Sequence, residues 1–125
     1  MKVVFVCEHG AAKSVIAAAW FERLAAEAGL DGRALARGTD LDPRLAESAV
    51  SGLLDEGIDV RRWQPREVRD EDLASAWRVV SFGPELGTLV SEHWDEVPPV
   101  ADGYEPARDA ILARLRPLLA HALHT

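Results

Sequence analysis

Lys2-Val3-Val4-Phe5-Val6-Cys7-Glu8-His9-Gly10-Ala11-Ala12-Lys13-Ser14 is an apolar run that stops at a cysteine and passes through a glycine-containing loop into a helical pattern. Residues 3–6 are β-branched or aromatic without a break, which suits a strand covered on both faces of a parallel sheet. Beyond the loop Glu8 to Lys13, Ile16, Trp20 and Leu24 recur at helical spacing, with Val15 and Ala19 beside them. The pattern stops at Gly29, a residue suited to the C′ position. The opening unit is therefore strand, loop, helix.

The same order continues outward. Ala34-Leu35-Ala36-Arg37 reads as a second strand. Asp42-Pro43 supplies an N-cap and a proline at the first helical position, so a second helix is expected to begin there. Its rows Leu45, Ala49, Leu53 and Ala46, Val50, Leu54 give one broad core face, and Gly57 closes it. Arg61 to Arg69 reads as loop. Asp70 to Ala76 reads as a short helix with acids in its first turn, leading into a third strand, Arg78-Val79-Val80-Ser81-Phe82, that breaks at Gly83-Pro84. The local pattern from Glu85 to Trp94 fits more than one element. Pro98-Pro99 enforces extended loop, and Pro106 opens a last helix with Ala107, Ile111, Leu115, Leu118, Leu119 and Ala122 on one side. Pro117 is expected to kink that helix or end its regular part.

Strands alternating with helices give an α/β fold: three layers, a four-stranded, mainly parallel sheet and helices on both faces. At 125 residues the chain has the length of one domain, taken as 1–125. Its net charge of -7 argues against a nucleic acid or an acidic membrane surface as partner, and its basic residues are scattered among the acids. One cysteine makes no internal disulfide, residues 1–6 are too short an apolar run for a signal peptide, and no stretch has the apolar length of a membrane span. A cytoplasmic protein is the expectation.

Ligands of such folds sit beyond the carboxyl ends of the strands, where Cys7 lies. A helix starting at Lys13 or Ser14 directs unpaired N–H groups into the loop before it, and its dipole favours an anion there. Gly10 permits positive φ, and Ala11 and Ala12 do not obstruct amides converging on a tetrahedral oxyanion. The same field favours the thiolate of Cys7, with Lys13, Ser14 and His9 placed to add charge or hydrogen bonds. Glu8 opposes an anion if it points inward and is expected to point outward. The plain alternative makes Cys7 a small buried hydrophobe and Lys13 a solvated residue, with His9 facing either ligand or solvent. The strand-loop-helix placement favours an anion site spanning Cys7 to Ser14.

Cys7-Glu8-His9-Gly10-Ala11-Ala12-Lys13-Ser14 resembles the nucleophile loop of the low-molecular-weight protein tyrosine phosphatase and arsenate reductase family, a cysteine, five residues, arginine and serine after the first strand. Ala36-Arg37-Gly38-Thr39 resembles its Ser-Ala-Gly-Thr after strand two, Gly57-Ile58-Asp59 its His-Gly-Ile-Asp, and Trp94 to Ile111 its closing region. The resemblance implies a nucleophile at Cys7, which would form a phosphocysteine, and a hydroxyl at Ser14 that stabilises the thiolate. Glu8, His9, Gly10, Ala11, Ala12 and Lys13 would cradle phosphate. Lys13 stands where the family has arginine and brings charge without the planar fork. Pro98 stands where the family has its general-acid aspartate; Asp95 and Asp102 are nearby acids, also readable as solvated loop residues. Loss of that acid costs about 10²- to 10⁴-fold in rate. The single cysteine excludes an intramolecular cysteine relay, which leaves a small thiol as reductant for arsenate chemistry.

Three functions follow from these expectations. One is cysteine-dependent phosphate-monoester hydrolysis or arsenate handling; another is phosphate or phosphoprotein binding without turnover, favoured by Lys13 and Pro98; the last is a cysteine phosphocarrier. The expected partners are phosphate, or a similar oxyanion, and a phosphorylated protein. No cofactor is implied, and His93, His121 and His124 lack ligand spacing with Cys7, the last two being placed on a frayed terminal turn. Trp20 reads as core and Trp63 as an exposed contact.

Overall fold

The computed structural model describes residues 1–124. Strands β1 (Lys2–Cys7), β2 (Arg33–Gly38), β3 (Arg78–Ser81) and β4 (Glu92–His93) form one sheet in the order β2-β1-β3-β4. All three neighbouring pairs are parallel. Val3 to Cys7 are all buried, and successive side chains of a strand point to opposite faces, so β1 is covered on both sides of the sheet. β4 comes from the stretch whose local pattern was ambiguous. Both its residues are exposed, and it is defined by bonds to β3, from Ser91 N–H to the Val79 carbonyl (2.7 Å) and from Trp94 N–H to the Ser81 carbonyl (2.8 Å). A two-residue edge strand leaves no periodicity in the sequence.

Helix α1 (Lys13–Glu27) packs on β1 and β2 and against the last helix. Its Ala17, Ala18 and Ala19 are all buried; small side chains let it approach the sheet on one side and a second helix on another. Gly29, at φ +76, terminates it as expected. Phe5 gathers the aromatic core, with ring centroids 5.8 Å from Trp94 and 6.2 Å from Phe21. Trp20 is half-buried, its indole N–H donating to Tyr104 Oη at 3.3 Å. Trp63 is also half-buried and packs against the core instead of standing free.

The remaining helices are α2 (Glu47–Asp55), α3 (Asp70–Ala74) and α4 (Tyr104–Leu123). α2 begins four residues after Pro43, not at it. The Ala46 N–H donates to the Ala11 carbonyl (2.9 Å) and the Asp42 N–H to the His9 carbonyl (3.2 Å), so residues 42–46 follow the loop after β1 instead of coiling. Consequently Leu45 lies outside the helix, and of the expected apolar rows only Ala49 and Leu53 are buried. α3 ends at Ala74, because the Trp77 N–H is taken by the Lys2 carbonyl (2.7 Å) where the chain turns into β3. α4 begins two residues before Pro106, which sits in a first turn whose N–H groups need no acceptor. It continues through Pro117 to Leu123: Pro117 and Ala113, whose carbonyl loses its usual partner, both face solvent. His121 belongs to this helix and is not frayed, since its ring stacks on Trp77 at 5.9 Å and accepts from Arg78 Nη2 at 2.9 Å. No described helix is long and apolar enough to cross a membrane.

Candidate active site

Cys7 ends β1, buried at 7% exposure, and residues 8–12 carry the chain to α1 at Lys13. Gly10 takes φ +61, the conformation only glycine adopts freely. The loop's carbonyls are taken by the segment after β2. The Glu8 carbonyl accepts from Thr39 N–H (2.9 Å) and Asp40 N–H (2.7 Å), the His9 carbonyl from Asp42 N–H, and the Ala11 carbonyl from Ala46 N–H. No N–H of residues 8–14 donates to any acceptor among the described residues, and the N-cap Ala12 has no side chain to offer one. Carbonyls bound and amides free is the arrangement that suits a bound anion.

Gly38 makes this packing possible. A Cβ on it would lie 2.6 Å from Gly10 N, 2.8 Å from Gly10 Cα and 2.9 Å from His9 C. The end of β2 and the loop after β1 therefore meet backbone to backbone. Ser14, fully buried in the first turn of α1, holds its Oγ 3.1 Å from Cys7 Sγ. A thiol donates to that hydroxyl, whereas a thiolate accepts from it, so Ser14 serves either state.

A cleft of about 400 Å³ opens over the loop. Cys7, Glu8, His9, Ala11, Ala12 and Lys13 line it from the loop, Asp42 adds a further ionisable side chain, and Phe82 with Pro99, Val100 and Ala101 makes it apolar elsewhere. Lys13 is half-buried and its side chain has no hydrogen bond or ion pair among the described residues, which leaves its ammonium available to a ligand. Glu8 is exposed, with its carboxylate 3.1 Å from His9 Nε2. His9 Nδ1 donates to the Asp40 carbonyl at 2.7 Å and lies 3.6 Å from Asp42 Oδ1. That carbonyl bond is the largest cause of a His9 pKa raised above its usual value of 6.5; burial opposes it, and the charges of Asp42, Glu8 and Asp40 each add to the rise.

Of the eight loop residues the cleft is lined by Cys7, Glu8, His9, Ala11, Ala12 and Lys13; Gly10 and Ser14 lie behind it, Ser14 against the Cys7 sulfur, and the acids of the closing segment stay away. Asp95 and Asp102 are exposed and do not line it; Pro98 is half-buried, and the segment reaches the cleft through Pro99 to Ala101. The carboxylates that do reach it are those of Glu8 and Asp42. Asp42 was readable from sequence only as a helix cap, and Gly38 only as part of a resemblance, because the contacts that give them their places cross about 30 positions of chain. For a cation, Glu8, His9 and Asp40 bring one ligand atom each within 4.8 Å of one another; all three are exposed, and His9 bonds Glu8 and the Asp40 carbonyl in place of any ion.

The family model described as low molecular weight phosphotyrosine protein phosphatase matches residues 2–118. No curated protein matches. Among solved structures, a YwlE mutant from Bacillus subtilis superposes with a TM-score of 0.81 at 22% identity, covering 100% of this chain and 99% of that one. A low molecular weight protein tyrosine phosphatase from T. tengcongensis gives 0.81 at 21% identity over 97% and 99% of the two chains. An arsenate reductase in the phosphate binding state gives 0.78 at 21% identity over 96% and 97%. These likenesses establish the fold, a four-stranded parallel sheet with its helices.

Proposed function

Since the chain belongs to the low-molecular-weight phosphotyrosine protein phosphatase family, we propose that it is a cysteine-dependent phosphate-monoester hydrolase with Cys7 as nucleophile. The observation that carries this reading is the backbone arrangement: free N–H groups from Glu8 to Ser14 beside a buried cysteine, with the loop's carbonyls bound elsewhere. Those amides and Lys13 hold the phosphoryl oxygens. The Cys7 thiolate attacks phosphorus; an S–P bond forms as the P–O bond to the leaving group breaks, and the leaving oxygen takes a proton. Water then attacks the phosphocysteine and gives its proton to the group that protonated the leaving oxygen; a P–O bond forms as the S–P bond breaks, phosphate leaves, and Ser14 donates to the returning thiolate across the 3.1 Å contact. We assign proton donation to His9, 3.6 Å from Asp42, because Cys7 and Lys13 already serve as nucleophile and phosphoryl clamp and no carboxylate of residues 94–102 lines the cleft.

Arsenate is the same tetrahedral oxyanion, and the arsenate reductase of like fold is described with phosphate bound, so the loop suits either anion. Binding of phosphate or a phosphorylated protein without turnover is the second reading, favoured by Lys13 in place of a forked guanidinium. Hydrolysis of a small aryl phosphate from about pH 5 to 8, with Cys7→Ser as blank and vanadate as inhibitor, separates the two. Turnover lost in Cys7→Ser supports the hydrolase. Vanadate binding without turnover supports the binding protein, and neither turnover nor vanadate binding refutes both.

A further inference from the structure

The imidazole of His9 faces oxygen atoms on both sides. Nδ1 lies 2.7 Å from the Asp40 carbonyl and 3.6 Å from Asp42 Oδ1, and Nε2 lies 3.1 Å from Glu8 Oε1. Carbonyl and carboxylate oxygens only accept hydrogen bonds, so each ring nitrogen has to carry a proton to satisfy its neighbour. The arrangement therefore holds an imidazolium, and its two protons are held with unequal firmness.

The Nδ1 proton is anchored by main chain. Asp40 accepts from Nδ1 with its carbonyl and donates its own N–H to the Glu8 carbonyl (2.7 Å), while the Asp42 N–H donates to the His9 carbonyl (3.2 Å). The segment after β2 thus grips residues 8 and 9 through three bonds, and turning the ring over would break one of them. Among the described residues the Nε2 proton is held by the Glu8 side chain, which is 66% exposed and free to swing into solvent. Once that carboxylate moves away, Nε2–H is open to a ligand in the cleft that Glu8 and His9 both line.

We propose that Glu8 is a positioning residue for the reaction: it keeps the transferable proton on His9 Nε2 until the leaving oxygen takes it, while the Asp40 carbonyl holds the ring in the tautomer that permits the transfer. This rests on the reading of His9 as proton donor. In the first step the Nε2–H bond breaks as the proton passes to the leaving oxygen, and His9 becomes neutral with its hydrogen on Nδ1. In the second, Nε2 takes a proton from the attacking water and the ion pair with Glu8 re-forms. The charges acting on the ring are those of Glu8 in its own loop and of Asp40 and Asp42 after β2; Lys13 from α1 and the Cys7 sulfur from β1 share the cleft. The same pairing occupies a carboxylate that would otherwise oppose a bound phosphate.

The test compares kcat/KM for phenyl phosphate, whose leaving oxygen needs a proton, with that for para-nitrophenyl phosphate, whose leaving group departs without one, from about pH 5 to 8. Glu8→Gln removes the charge that favours the imidazolium, so its activity toward phenyl phosphate falls off at lower pH than that of the unaltered protein. Near the alkaline end it should be about two- to fivefold lower, the worth of an exposed ion pair. Hydrolysis of para-nitrophenyl phosphate should be unaffected, and Glu8→Asp, which keeps the charge, should retain activity toward phenyl phosphate. Equal losses on both esters, or none, overturn the role of Glu8 and leave the hydrolase standing; hydrolysis of neither ester by the unaltered protein removes the hydrolase and this role together. Nitrogen NMR of the His9 ring reads the tautomer without turnover. Nδ1 is expected to stay protonated as Nε2 loses its proton with rising pH, and a neutral ring protonated on Nε2 overturns the assignment.

Discussion

Replacing Gly38 with alanine drives a methyl group into the backbone of the candidate loop. The new Cβ would stand 2.6 Å from Gly10 N and 2.9 Å from His9 C, the two atoms of one peptide bond. Carbon contacts are comfortable at about 3.5 to 4 Å, so that peptide has to retreat on the order of 0.5 to 1 Å. The Thr39 and Asp40 N–H groups resist the retreat, since they hold the Glu8 carbonyl from the residues next to position 38. Overpacking of this kind costs about 1 to 3 kcal/mol, a fall of about 1 M in the urea midpoint for a domain with a slope of about 1 to 3 kcal/mol/M. Gly29→Ala is the comparison: it takes φ +76 with nothing within 4 Å, so it bears a left-handed backbone cost of about 1 to 2 kcal/mol and leaves the loop alone. The variants differ in anion affinity. A displaced 9–10 peptide misdirects at least one amide donor to a charged ligand, about 1.5 to 3 kcal/mol, so vanadate should bind Gly38→Ala about tenfold or more weakly and Gly29→Ala as it binds the unaltered protein. Calorimetry with vanadate, alongside urea unfolding, reads both quantities. Undiminished affinity in Gly38→Ala, or an equal loss in both variants, refutes the reasoning.

Lys13→Arg restores a forked donor at the start of α1 and should raise kcat/KM for an aryl phosphate by about 10- to 100-fold, the worth of one added charge-assisted hydrogen bond; no gain would show that the cleft cannot seat a guanidinium. His9 should titrate above 6.5 by NMR, because the Asp40 carbonyl and three carboxylates favour its cation. A raised folded-state pKa means that its stabilisation is complete below about 6.5 and is lost as pH rises through the raised value, so His9→Gln should flatten stability across that window; a His9 pKa at or below 6.5 counts against the contacts. Glu56→Ala should cost about 1 to 3 kcal/mol by urea unfolding, since Tyr104 Oη (2.5 Å) and Arg108 Nη1 (2.6 Å) both donate to this half-buried carboxylate, with Glu56→Gln losing less; an unchanged midpoint would mean that solvent replaces both bonds.

The amino-acid sequence by itself determined what short-range chemistry encodes. The unbroken β-branched run into Cys7 specified a doubly covered strand, helical spacing from Val15 to Leu24 with Gly29 beyond it specified α1, and the order of strands and helices specified a parallel sheet. That the loop from Cys7 to Ser14 leads into a helix start with orphan amides was readable because those amides follow from helix geometry alone. The tertiary structure decided where local signals were outvoted or missing. Asp42-Pro43 is a sound cap on local grounds, yet the carbonyls of His9 and Ala11 claim the N–H groups of Asp42 and Ala46 and postpone α2 to Glu47. Pro117 is a sound helix breaker, yet solvent serves the carbonyl it orphans and α4 runs on. β4, the meeting of Gly38 with Gly10 and the acids that reach the cleft exist only through contacts between distant parts of the chain. Their energies depend on which backbone atoms the fold brings together, and no local window of sequence contains both partners.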